Sequence, residues 1–129
     1  MQSIRVRVVA AWAVAILLAL FFVQSGASKL GPSSPWVGRF EAWGYTGSLA
    51  QLIGAIETAG GFLALVPSLA AYGALMISAV MIGAIYTHLS TGIGSAATAA
   101  QMLVLSGALI ALRARDARPL GKAGRKDPV

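Results

Sequence analysis

Cysteine is absent from all 129 residues. That removes disulfides, thiolate nucleophiles, iron–sulfur ligation and Cys-based zinc sites, and leaves the redox compartment open. Histidine occurs once, so the chain cannot supply the paired axial ligands of a membrane haem. The sequence contains no phosphate-binding loop, nucleophile elbow or pair of catalytic carboxylates, and no metal site is expected. Charge is the scarcest commodity. Only 11% of residues are Asp, Glu, Lys or Arg, against about 25% in a soluble domain. Between residues 8 and 112 the charged positions are Lys29, Arg39, Glu41 and Glu57, too few to make a water-facing surface. The net charge of +6 would suit a nucleic-acid binder. Here, however, the basic residues flank apolar runs instead of forming a stripe, and no nucleic-acid partner is expected.

What the chain has is apolar length: 57% hydrophobic residues and a mean hydropathy of +0.77. A helix needs ~20 residues at 1.5 Å each to cross a ~30 Å hydrocarbon core. Four stretches qualify, at about 8–27, 48–66, 69–88 and 95–112. The expected fold is therefore all-α, a four-helix transmembrane bundle over residues 1–112. The rival for the first stretch is a signal peptide cleaved after Ser25-Gly26-Ala27, but the apolar run is longer than a usual signal core. Between the first two spans, residues 30–47 carry Ser34-Pro35, an N-cap followed by proline at the first helical position. Trp36, Val37, Phe40 and Trp43 recur there at helical spacing, with Arg39 and Glu41 off that face. This reads as a short amphipathic helix lying in the membrane interface, where Trp and Tyr, here including Tyr45, concentrate. Residues 113–129 hold six basic and two acidic residues and are expected to form a disordered tail drawn to anionic headgroups.

Lys and Arg counts beside the spans set orientation. Arg5, Arg7 and the basic tail lie on one side, Lys29 and Arg39 on the other. Both termini are thus expected in the cytoplasm, with residues 30–47 and 89–94 outside. Lipid tails are as apolar as leucine, so helices meet largely through small residues that permit close approach. Such stripes occur on every span: Ala11, Ala15 and Ala19; Ala50, Gly54 and Thr58; Ala70, Ala74 and Ser78, with Ala79, Gly83 and Thr87; Ala96 and Ala100, then Gly107 and Ala111.

Glu57 lies near the middle of the second span, roughly 15 Å from its outer end. A carboxylate there costs at least ~2.5–3.5 kcal/mol to insert and must face protein or water. One turn away lie Gly54, Gly60 and Gly61, which leave room for another helix or for a ligand. Glu57 is either a proton-handling or ligand-binding group, or a structural clamp. Other polar residues share its outer half: Gln24, Ser28 and Lys29 on the first span, Tyr86, Thr87 and His88 on the third, Thr98 and Gln101 on the fourth. The expectation is one outward-facing polar pocket floored by Glu57, with Glu57, His88, Lys29, Gln24, Tyr86 and Gln101 as ligand-binding or proton-handling candidates. Singly, Lys29 could snorkel to the headgroups, His88 could be merely interfacial, and Gln101 could bond across helices.

The stretch Phe22-Val23-Gln24-Ser25-Gly26-Ala27-Ser28-Lys29-Leu30 resembles the F-x-x-x-G-x-x-K-L end of the first helix in DoxX-like membrane proteins. Gly54-Ala55-Ile56-Glu57-Thr58-Ala59-Gly60-Gly61 is similar to that family's second-helix signature, and His88 at the end of the third span fits the pattern. The resemblance implies a four-helix bundle and points to Lys29, Glu57 and His88. It also implies an accessory or quinone- or lipophile-binding subunit of a membrane redox or stress-response complex. Such a chain is not an enzyme on its own; at most it is a membrane subunit of a quinone-linked oxidoreductase. No intrinsic cofactor is expected beyond a quinone or other lipophile. Expected partners are the lipid bilayer, other membrane subunits and a second copy of the chain. The alternatives are a small dimeric proton-coupled exporter and a purely structural assembly subunit of a larger membrane complex.

Overall fold

Small apolar residues at helical spacing dictate the packing seen in the computed structural model, which describes residues 2–117 and 119. Five α-helices follow one another: α1 (Gln2–Lys29), α2 (Pro35–Ala42), α3 (Gly47–Leu63), α4 (Ala70–Thr91) and α5 (Ala97–Arg113). No strand occurs among the described residues. The long helices form a closed ring in which α1 packs on α3, α3 on α4, α4 on α5 and α5 back on α1, while α2 leans on α3. The buried side of α1 is Ala11, Ala15, Leu18, Ala19, Phe22 and Lys29, a single helical face. It meets Ala64, Ala70, Ala74, Ile77, Met81 and Leu109 in the core.

The crossings are close because glycines face each other. A Cβ on Gly54 would sit 2.6 Å from the Gly26 carbonyl oxygen, and one on Gly26 would sit 2.6 Å from that of Gly54. Gly60 and Gly73 join α3 to α4 in the same reciprocal way, at 3.1 and 2.7 Å. The three glycines around Glu57 therefore admit neighbouring helices. The stripes Ala11–Ala15–Ala19 and Ala70–Ala74–Ser78 are buried. By contrast, Ala79, Gly83, Ala100, Gly107 and Ala111 are exposed.

Three helices are long and apolar enough to cross a membrane: α1, α4, and α5 with its continuation to Asp116. Leu52, Phe62, Leu75, Ile82, Leu89 and Val104 are each more than half exposed, which suits lipid as the solvent. The chain is a membrane protein. The helix expected over 48–66 ends at Leu63, because Pro67 disfavours helical geometry at the residue before it. Residues 64–69 turn instead, through Leu65 N–H to the Phe62 carbonyl (3.1 Å) and Leu69 N–H to that of Val66 (2.9 Å). At 17 residues, α3 covers about 26 Å. Thr91 closes α4, and Gly92 follows at φ +68°, the left-handed position that favours glycine at a helix end.

The start of α1 and the end of α5 meet. The Arg7 guanidinium donates to the Leu112 carbonyl (3.0 Å), and Asp116 lies 3.8 Å from Arg7 and 3.3 Å from Arg113. Arg113 and the 3₁₀ turn Ala114–Asp116 thus continue the fold into the segment assigned to the tail. The rest of the expected disordered tail, residues 117 and 119 apart, lies outside the described residues.

Candidate functional site

Ser25 and Lys29 are one helical turn apart on the buried face of α1, and both reach Glu57 on α3. The Lys29 ammonium donates to Glu57 Oε2 at 2.8 Å and to Ser25 Oγ at 2.7 Å. Ser25 Oγ in turn donates to the same Oε2 at 3.1 Å. The pair is almost fully buried, with side chains 6% and 3% exposed, so removal from water is offset only by good geometry and extra hydrogen bonds. Trp36 supplies a further contact: its ring centroid lies 4.2 Å from Lys29 Nζ and 4.5 Å from the Arg39 guanidinium. Lys29 therefore turns inward to a carboxylate and an aromatic face and does not snorkel. Among the described residues both hydrogen bonds to Glu57 fall on Oε2, which leaves Oε1 without a protein donor.

The pair forms one wall of a chamber of about 530 Å³ at the end of the bundle away from the termini. Trp36, Phe40, Trp43 and Tyr45 roof it; Phe21, Phe22, Ile53 and Ile56 line its sides; Thr87, His88 and Thr98 stand on the α4–α5 side. The roof is held by local chemistry. Ser34 Oγ accepts from the Trp36 N–H (3.2 Å) and starts α2 at Pro35. Phe40 stacks on Trp43 and Tyr45, with centroids at 5.3 and 6.1 Å. The Thr87 hydroxyl is donated to the Gly83 carbonyl (2.9 Å), so it is the Tyr45 hydroxyl that donates to Thr87 Oγ1 across 2.7 Å, tying the roof to α4. His88 Nδ1 donates to the Ile93 carbonyl at 2.8 Å, which leaves Nε2 as the acceptor of the neutral ring. Its edge meets Trp43 at 5.2 Å.

Of the residues singled out from the sequence, Glu57, Lys29 and His88 line this chamber, as do Thr87 and Thr98. Gln24, Tyr86 and Gln101 do not join them. Tyr86 is 68% exposed and Gln101 faces outward. Gln24 lies in a separate groove between α1 and α5. Shared depth placed all of them together, but each residue turns the helix by 100°, so Gln24 and Tyr86 point away from their inward neighbours Ser25 and Thr87. Ser25 is not among the sequence candidates, although its spacing of four from Lys29 puts both on one face of α1. The aromatic residues of α2 carry the pattern of interface anchors, and that pattern does not reveal that they also line the chamber. Among the described residues no group of three His, Asp or Glu side chains gathers as a metal ion would need.

With this geometry in hand, comparison with known proteins finds one family: the model of the DoxX-like family matches residues 13–112. No curated protein and no solved structure matches.

Proposed function

The chain belongs to the DoxX-like family, and from that premise we propose that it is a lipophile-binding membrane subunit whose ligand, a quinone or a molecule of similar shape, occupies the aromatic chamber. One observation carries the reading: a cavity of about 530 Å³, large enough for a drug-sized ring system, whose nearly all-apolar wall is interrupted by the buried Ser25–Lys29–Glu57 cluster. Such a wall sorts for flat apolar molecules, and a few fixed polar groups orient them. The Lys29 ammonium is a donor for a ligand carbonyl, Glu57 Oε1 is an acceptor for a hydroxyl, and His88 Nε2 stands on another wall. The chain's own share in any redox reaction is to bind, orient and move protons; electrons would enter from a partner subunit.

The same reading takes α3 as a fourth span. α1 ends beside the chamber, whereas α4 starts at its far side, where Gly73 packs on Gly60 and Leu63. The chain must therefore return across the bundle through α3 and its apolar turn. The proposed orientation has the end bearing Arg5, Arg7, Arg113 and Arg115 in the cytoplasm, supported by its excess of positive charge, with the chamber and α2 at the outer interface.

Native mass spectrometry of the purified protein tests this. A stoichiometric lipophile of ring-containing mass is expected on the wild type and should be lost from Glu57→Gln while the bundle stays folded. Protein that leaves the membrane empty, or a Glu57→Gln variant that keeps its lipophile, would overturn the proposal.

A further inference from the structure

Phe21 belongs to two cavities at once. It lines the chamber and also the groove on the outer surface between α1 and α5, about 310 Å³ in volume, formed with Leu17, Leu20, Gln24, Met102 and Leu105. Its ring is 38% exposed and packs edge-on against the fully buried Phe22 at 4.9 Å. One aromatic side chain is therefore common to the chamber wall and to a trough on the surface of the bundle. We propose that this groove is the subsite for the ligand's hydrocarbon tail, with Phe21 as the gate that the tail passes. The inference rests on the lipophile-binding reading and extends it to the class of ligand: a polar-edged ring carrying a flexible apolar chain.

Three observations support it. The groove is apolar except for Gln24, so it offers an aliphatic chain contact without specific hydrogen bonding. It lies on the seam between α1 and α5, where exposed Leu17 and Leu20 already face the lipid that would hold the remainder of a long tail. The chamber's aromatic roof is tied to α4 through the Tyr45–Thr87 bond, and Phe21 is a residue that its wall shares with the groove. A tail that leaves past Phe21 therefore runs out on the α1–α5 side.

The test uses two probes with the same head, 2,3-dimethoxy-5-methylbenzoquinone and its decyl-substituted form. They are titrated against the full chain in nanodiscs at matched mole fraction, with quenching of Trp36 and Trp43 as the signal. Because the chain lacks cysteine, Gln24→Cys carries a bulky maleimide only in the groove, and Leu75→Cys, on the lipid face of α4, carries the same label as the control. Filling the groove should weaken the decyl probe at least about tenfold, because the label takes the space of its chain and removes the close packing contacts there, while the tailless probe and the Leu75 control hold their affinity. An unchanged decyl affinity, or equal weakening of both probes, would defeat the groove assignment and leave the chamber standing. Failure of both probes to bind unlabelled protein would remove the lipophile reading and the groove with it.

Discussion

Lys29 and Glu57 meet where a lone charge would be hardest to keep, yet the two are not equally dependent on each other. Without Glu57, Lys29 still has Ser25 Oγ at 2.7 Å, the Ser25 carbonyl at 3.4 Å and the Trp36 ring. Without Lys29, Glu57 keeps only the Ser25 hydroxyl among the described donors. Removing one partner of a buried pair typically costs about 3–5 kcal/mol, since it strands the other charge. Lys29→Met is therefore expected to lower the melting temperature in detergent clearly more than Glu57→Gln, and the double variant to recover most of the loss. Additive losses would mean that the residues act independently. Glu57 stood out in the sequence as a carboxylate in an apolar span, and Lys29 through its place in the family motif. Their pairing did not, because it depends on the rotation of α1, and Lys29 so close to a span end reads equally well as a snorkelling cation.

At the scale of elements, apolar length made α1, α4 and α5 legible, and Ser34-Pro35 marked the start of α2. The small-residue stripes were legible as patterns only. Those on the buried faces of α1 and α4 serve contacts, whereas Gly107 and Ala111 do not, since composition alone cannot say which face meets a partner. The structure separates them in a way that mutation can check. At Gly54 an added methyl would meet the backbone of α1, which can yield only by moving the helix. Gly54→Ala should cost about 1–3 kcal/mol, as overpacking does, and disturb the neighbouring Lys29 contact. At Gly107 nothing lies within 4 Å of the added atom, so Gly107→Ala should be neutral, or stabilising by up to about 1 kcal/mol from helix propensity. Parallel melting curves in one detergent decide it; equal destabilisation at both sites would mean that the α1–α3 crossing is looser than its glycines imply.

For the whole molecule, the bundle adds weight to the charge asymmetry read from the sequence. At the chamber end Lys29 is neutralised by Glu57, and Arg39 lies near Glu41 in sequence, so little net positive charge is left there. At the other end Arg5, Arg7, Arg113 and Arg115 face a single described carboxylate, Asp116. Because Arg7 binds the end of α5, the start of α1 and the end of α5 lie at one end of the bundle, and the proposed orientation becomes a two-way choice. The usual rule favours the cytoplasm for the positive end, and labelling decides it. Single cysteines at Ser33 and Ser90, both exposed beside the chamber, should react with a membrane-impermeant maleimide on intact cells. A cysteine at Ser3, exposed at the opposite end, should react only after the membrane is opened. Reaction at Ser3 alone would invert the protein and open the chamber end to the cytoplasm. Reaction at Ser33 with protection at Ser90 would put the two connections on opposite sides, which no arrangement with α3 as a fourth span allows.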